Sequence, residues 1–167
     1  KMIGLVRTFS KRRFAIKVGE KLPQALLCVV KYESGQGFVN EIFDSQEYLA
    51  NKNAVIIGYT GAFTPTCTSL HIPSYISNAT MMKKKGADEI LAMSVNDPFV
   101  ITAFADALGG GSHINFIADG NGEFTEKLGF GLDLTQVVLG PIRCQRFSMI
   151  AKNNIVVDLN VEVGSQL

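Results

Sequence analysis

The residues best placed to do chemistry lie in one stretch, Thr60 to Cys67, which reads TGAFTPTC. It follows Ala54–Tyr59 (AVIIGY), an apolar β-branched run of the kind buried in a central strand. It precedes LHIPSYISNATMMKKKG, which reads as a long helix stopped at Gly86. Thr64 is a favourable N-cap residue, and Pro65 then falls at the first helical position, where its missing N–H is no loss. This spacing sets Cys67 in the first helical turn, under free backbone N–H groups and the positive end of the helix dipole. Both favour thiolate over thiol, and a cysteine so placed can have its pKa lowered to roughly 3.5–7.5 from about 8.5. A lone cysteine is more often a small buried hydrophobe. Strand, cap, proline and cysteine in this order point instead to a reactive sulfur nucleophile.

His71 follows Cys67 by four residues, so the two can share a helix face as a metal pair or a Cys–His hydrolytic pair. Both readings need more than is present. The other histidine, His113, follows GGGS, and no third ligand accompanies it. The cysteines Cys28, Cys67 and Cys144 are irregularly spaced and make neither a disulfide framework nor a zinc pattern. No metal and no cofactor are therefore expected, and a reducing intracellular compartment fits best. Cys28, between Leu27 and Val29, is expected to pack in a strand.

The Thr60–Cys67 stretch resembles the peroxidatic signature of peroxiredoxins, P-x-x-x-T-x-x-C, through its GAF and TPTC segments. The similarity continues through VNDPF (Val95–Phe99), DGNGEF (Asp119–Phe124) and RFSM (Arg146–Met149) to NVE (Asn160–Glu162). It spans about Ile16 to Glu162 and is close to the type II, peroxiredoxin-5-like subfamily. The resemblance implies a thioredoxin-like α/β fold with a mixed central sheet flanked by helices. It implies a thiol-specific peroxidase that reduces hydrogen peroxide or alkyl hydroperoxides through a cysteine sulfenic acid, serving antioxidant defence and redox homeostasis. It also implies a homodimer. One position departs: Thr60 stands where the signature has a proline that helps shield the sulfur from water. A wetter pocket, partly improved by Thr60→Pro, is the expectation.

A thiolate attacking a peroxide needs a low-pKa sulfur, a donor for the peroxide oxygens and a fixed positive charge. Cys67 is the first. The Thr64 hydroxyl, one helical turn before it, can be the second and still cap the helix. For the third, Arg146 matches the active-site arginine of the family, and a guanidinium stays protonated with donors in a rigid fork. Arg143 is the other candidate, but it falls on the opposite face of a regular strand.

Resolution of the sulfenic acid is open between two routes. Plant-like members of the family carry a second cysteine where this chain has Ala92. Cys144 lies two residues before Arg146 and would share its face in a regular strand, or it is simply a small buried hydrophobe. The second reading gives a one-cysteine cycle in which glutathione, glutaredoxin or thioredoxin attacks oxidised Cys67. The alternative from another functional class is a thioredoxin-like redox sensor or binding module without turnover, pointed to only by Thr60.

The elements that must position these residues alternate from Ile16 onward. Ala25–Tyr32 (ALLCVVKY) reads as a strand, and FVNEIFDSQEYLANK as a short strand edge followed by a helical piece. Glu89–Val95 (EILAMSV) is a buried strand. Asp97-Pro98 repeats the cap-plus-proline device and opens a helix through Leu108. Ile114–Asp119 is a strand, and EFTEKLG a short helix. The GGG and DGNG segments have neither Walker nor dinucleotide spacing and sit where turns are needed. RFSMIAK and IVVDLNVE flank Asn153-Asn154 as a hairpin.

With 167 residues and 47% hydrophobic content the chain suits one domain with a sizeable core. The net charge of +1 makes no general case for nucleic acid, and no apolar run is long enough to span a membrane. Residues 1–17 hold six of the 16 Lys and Arg and no acid, so ten cations face 15 acids in the remainder, a net −5. An Arg-rich, hydroxylated, acid-free start is typical of organelle transit peptides, and a flexible basic tail is the other reading. Residues 1–15 are thus expected to be a basic tail or transit remnant, and 16–167 the single peroxiredoxin-like domain. The corresponding location is a mitochondrion or other organelle, with the cytoplasm as the alternative.

Overall fold

The computed structural model describes residues 15–111 and 113–162. The expected basic tail, apart from Ala15, lies outside the described residues. The apolar runs found in the sequence assemble as a seven-stranded mixed sheet. It contains β1 (Leu26–Glu33), β2 (Gly37–Asp44), β3 (Asn53–Gly58), β4 (Glu89–Ser94) and β5 (Asn115–Ala118). A short ribbon of β6 (Gly131–Leu132) and β7 (Arg143–Cys144) stands apart, and β8 (Phe147–Lys152) and β9 (Ile155–Val161) complete the sheet. The order is β2-β1-β5-β4-β3-β8-β9; β3, β4 and β5 run parallel and the other neighbours antiparallel.

Alternation along the strands supplies two apolar layers. Leu27, Val29, Ile56, Leu91, Met93, Ile117 and Phe147 share one face with Phe124 and Leu128 of α4 (Glu123–Leu128). On the other face lie Val30, Ile57, Ile90, Ala92 and Phe116. They are covered by Ile72 and Ala79 of α2 (Ile72–Lys84) and by Ile101 and Phe104 of α3 (Pro98–Ala107). The central strands therefore have no polar face, as expected of parallel strands between helices. A four-residue helix, α1 (Ser45–Tyr48), follows β2, which is a full eight-residue strand rather than a short edge.

Local chemistry sets the boundaries. Asp97 accepts hydrogen bonds from the N–H groups of Phe99 and Val100 at 2.9 and 3.1 Å, with Pro98 at the first helical position. Asp119 accepts from Phe124 and Thr125 N–H at 3.3 and 2.7 Å, so DGNG is a turn that seats α4. Asn153 and Asn154 both adopt positive φ, 47° and 67°, which the primed hairpin turn between β8 and β9 requires.

The helix after the Thr60–Cys67 stretch differs from expectation in two ways. Helical residues begin at Pro65, but Cys67–His71 form a π-helical turn before α2 takes over, with Ile72 N–H bonding the Cys67 carbonyl. The Thr64 hydroxyl does not act as a side-chain cap; it donates backwards to the Gly61 carbonyl at 2.8 Å. Pro65 and the preceding turn start the helix without it.

Candidate active site

Cys67 sits where the chain leaves β3, crosses the GAF turn and enters the helix, and its side chain is 0% exposed. Burial alone pushes a thiol pKa up. Here the His71 ring, the Thr64 hydroxyl and the backbone of Thr60 and Gly61 outweigh burial, and the pKa falls to about 6. Cys67 is therefore largely thiolate at neutral pH. The approach to the sulfur is held by the VNDPF segment: Asn96 Oδ1 accepts the Ala62 N–H at 3.0 Å and the Ser94 hydroxyl at 3.0 Å.

His71 belongs to this site through Cys67. Its Nδ1 is buried without a well-aligned hydrogen-bond partner, yet the ring is the first of the groups that draw the sulfur pKa down. A large, diffuse sulfur anion gains from such a neighbour electrostatically, so the relation requires no ideal bond angle. Among the described residues no group of three His, Cys, Asp or Glu is arranged to hold a metal ion.

Arg146, just before β8, reaches the same sulfur: its guanidinium pKa is raised first by Glu162 and further by Cys67. Glu162, just past β9, accepts from Arg146 Nε and, at 3.4 Å, from Nη2. Thr60 Oγ1 accepts from Arg146 Nη1 at 3.4 Å. Arg146, His71 and Glu162 line a cleft of about 490 Å³ together with Thr66 and Tyr75. Arg143 is committed to the backbone: it ties Nε to the Leu139 carbonyl at 2.7 Å and Nη1 to the Val95 carbonyl at 3.0 Å, with Nη1 lying beside Gly61.

Thr60, the residue that stands where the signature has proline, is itself 1% exposed. Cys28 packs in β1, as expected, with its pKa raised by burial. Cys144 is 0% exposed, and burial drives its thiol far above the ordinary range. It belongs to the apolar layer that holds Phe147 and Leu128, whereas Cys67 belongs to the layer covered by α2 and α3. The shared-face geometry that a regular strand would have given Cys144 and Arg146 fails because β7 ends at Cys144 and β8 begins at Phe147.

The structure thus brings together Cys67, Thr64 and Arg146, all three proposed from the sequence. It adds Glu162, His71 and the Thr60 hydroxyl, for which the sequence reading assigned no such part. Glu162 was visible within NVE, but its pairing with Arg146 depends on hairpin register. His71 stands at the right spacing in the sequence, where Cys-x-x-x-His fits a metal or hydrolytic pair as well as the family pattern. A buried thiolate among fixed donors, beside a guanidinium, can attack an electrophilic oxygen and stabilise the negative charge that leaves.

A model of the Redoxin family matches residues 17–166. The chain is 40% identical over 151 residues to Peroxiredoxin-2C of Oryza sativa subsp. japonica, covering 90% of each chain. It is 38% identical over 151 residues to the chloroplastic Peroxiredoxin-2E of Arabidopsis thaliana, covering 90% of this chain and 63% of that protein. Among solved structures, reduced Prx3 of Vibrio vulnificus in complex with hydrogen peroxide superposes with a TM-score of 0.79 at 38% identity, covering 91% of each chain.

Proposed function

We propose, for a chain that belongs to the Redoxin family and is a type II peroxiredoxin of thioredoxin-like fold, a catalytic cycle carried by Cys67, Thr64 and Arg146. The enzyme is a thiol-dependent peroxidase with an antioxidant role. The observation that carries the assignment is the wholly buried Cys67 whose pKa is nonetheless lowered to about 6.

In the first step the Cys67 thiolate attacks one oxygen of hydrogen peroxide or an alkyl hydroperoxide. A sulfur–oxygen bond forms, the oxygen–oxygen bond breaks, and water or alcohol leaves after taking up a proton. The sulfur is oxidised by two electrons to sulfenic acid. Thr64 orients the peroxide by its hydroxyl, and Arg146 stabilises the charge that builds on the departing oxygen. In the second step an external thiol from glutathione, glutaredoxin or thioredoxin attacks the sulfenic sulfur and expels water. A further thiol then releases Cys67. The burial of Cys144 in the opposite layer supports this one-cysteine route, since a disulfide needs Cα atoms within about 4.4–6.8 Å and side chains directed at each other.

A homodimer accompanies this reading. Exposed apolar side chains stand in the loops and helix starts around the site: Phe63 at 53%, Leu70 at 68% and Phe99 at 78% exposed. A second copy would cover them. The basic start of the chain and the chloroplastic relative support an organelle, mitochondrion or plastid, over the cytoplasm; among the described residues no helix is long and apolar enough to cross a membrane. Residues 1–15 would be the tail and 16–167 the domain. Stopped-flow oxidation by hydrogen peroxide followed by repeated thiol-dependent turnover tests the proposal. A single oxidation without cycling would favour a redox sensor instead.

A further inference from the structure

We propose that Thr60 is a positioning residue of the peroxide-reducing site, its hydroxyl holding the Arg146 guanidinium at Nη1. The inference rests on the peroxidase reading above and deepens it. The parallel β3–β4 ladder runs to Gly58, opposite Met93, and the Tyr59 N–H still reaches the Met93 carbonyl at 3.0 Å. Thr60 is the first residue to leave the sheet, and it leaves into the interior, 1% exposed. A hydroxyl buried there needs a partner, and it has one in Arg146 Nη1 at 3.4 Å.

The guanidinium is therefore held from two sides by different chemistry. Glu162 takes Nε and Nη2 and fixes the charge; Thr60 takes Nη1 and fixes the rotation of the fork. At 3.4 Å the Thr60 contact is long, so its contribution is direction more than strength. A β-branched side chain suits this task because its χ1 is stiff and the hydroxyl does not swing away. The same residue contributes through its backbone to the lowered pKa of Cys67. A proline here would have neither the N–H nor the hydroxyl. Threonine thus puts a hydrogen-bond acceptor beside the guanidinium where a proline ring would have none.

The test compares Thr60→Val, Thr60→Ser and Thr60→Pro with the unmodified full chain and with Cys67→Ser. Two quantities are read: the second-order rate of oxidation by hydrogen peroxide, and the pH midpoint of thiolate ultraviolet absorbance. Thr60→Val keeps the N–H and the shape, so it should slow oxidation about tenfold, as loss of an orienting partner does, with the midpoint unmoved. Thr60→Ser should restore most of that loss. Thr60→Pro, which also lacks the hydroxyl, should be no faster than Thr60→Val. Full rate in Thr60→Val, or a Thr60→Ser as slow as Thr60→Val, would overturn the proposal. Cys67→Ser separates this from the underlying proposal: peroxide consumption surviving there sinks the peroxidase assignment, whereas an inactive Cys67→Ser beside a full-rate Thr60→Val sinks this inference alone.

Discussion

Glu162 and Arg146 are tied twice. The Glu162 carboxylate takes the guanidinium at Nε and Nη2, and the Glu162 N–H bonds the Arg146 carbonyl at 2.9 Å. The Arg146 side chain is 7% exposed and that of Glu162 43%, so a buried cation is anchored to an anion that water still reaches. Removing one partner of such a pair disturbs the other more than the pair itself stabilises the fold. Glu162→Gln keeps the shape and loses the charge, and it should slow peroxide oxidation about tenfold. Arg146→Lys removes the guanidinium fork and Thr64→Val the hydroxyl beside the sulfur, and each should slow it by roughly 10²–10³. Stopped-flow rates on variants shown to be folded by circular dichroism check all three.

The pH dependence follows from Cys67. Its pKa in the folded protein is about 6, below the ordinary thiol value of 9.0. The folded state therefore releases the proton more readily than the unfolded chain. The stabilisation this brings is complete above the ordinary value and is lost as pH falls through 6. Oxidation by peroxide should follow the same titration, with a midpoint near pH 6. Urea unfolding between pH 6 and 9 should show stability rising with pH, and Cys67→Ser should flatten that rise.

His71 is the side chain that does most to lower the Cys67 pKa. Its replacement by leucine should move the thiolate midpoint upward, toward the ordinary range. Oxidation at neutral pH should then slow and recover in more alkaline buffer. A midpoint that stays near 6 in His71→Leu would remove His71 from the site.

Gly58 carries a packing prediction. An added Cβ would stand 2.2 and 2.3 Å from Cε1 and Cδ1 of Phe147 and 3.0 Å from Cys144 Sγ. Phe147 is 3% exposed, so its ring cannot swing into solvent. Gly58→Ala should destabilise the fold by about 1–3 kcal/mol, as overpacking does. A shift of the denaturation midpoint to lower urea reads this directly.

The strands β1, β3, β4, β5, β8 and β9, the Asn153-Asn154 hairpin and the Asp97-Pro98 helix start were legible in the sequence because each rests on local chemistry. Apolar alternation, two asparagines at positive φ and a carboxylate cap are decided within a few residues. The π turn was not legible. Thr68 and Ser69 donate their hydroxyls to the carbonyls of Thr64 and Pro65 at 2.7 and 2.9 Å, competing with the backbone ladder. Such competition leaves no periodic mark. At the site, Cys67 and Thr64 could be argued from spacing alone, whereas Arg146 needed the family resemblance, because nothing local distinguishes it from Arg143. Glu162 and Thr60 meet Arg146 across 16 and 86 residues of chain, and only the folded register reveals those meetings.

The central claim is that Cys67 is the sulfur that reacts with peroxide. One equivalent of hydrogen peroxide, added to reduced protein without any thiol and followed by peptide mass mapping after sulfenic-acid trapping, tests it most directly. Cys67 alone should gain one oxygen, Cys28 and Cys144 should stay reduced, and no intramolecular disulfide should form. Peroxide consumed with Cys67 unmodified would contradict the claim, and a Cys67–Cys144 disulfide within one chain would contradict the one-cysteine cycle.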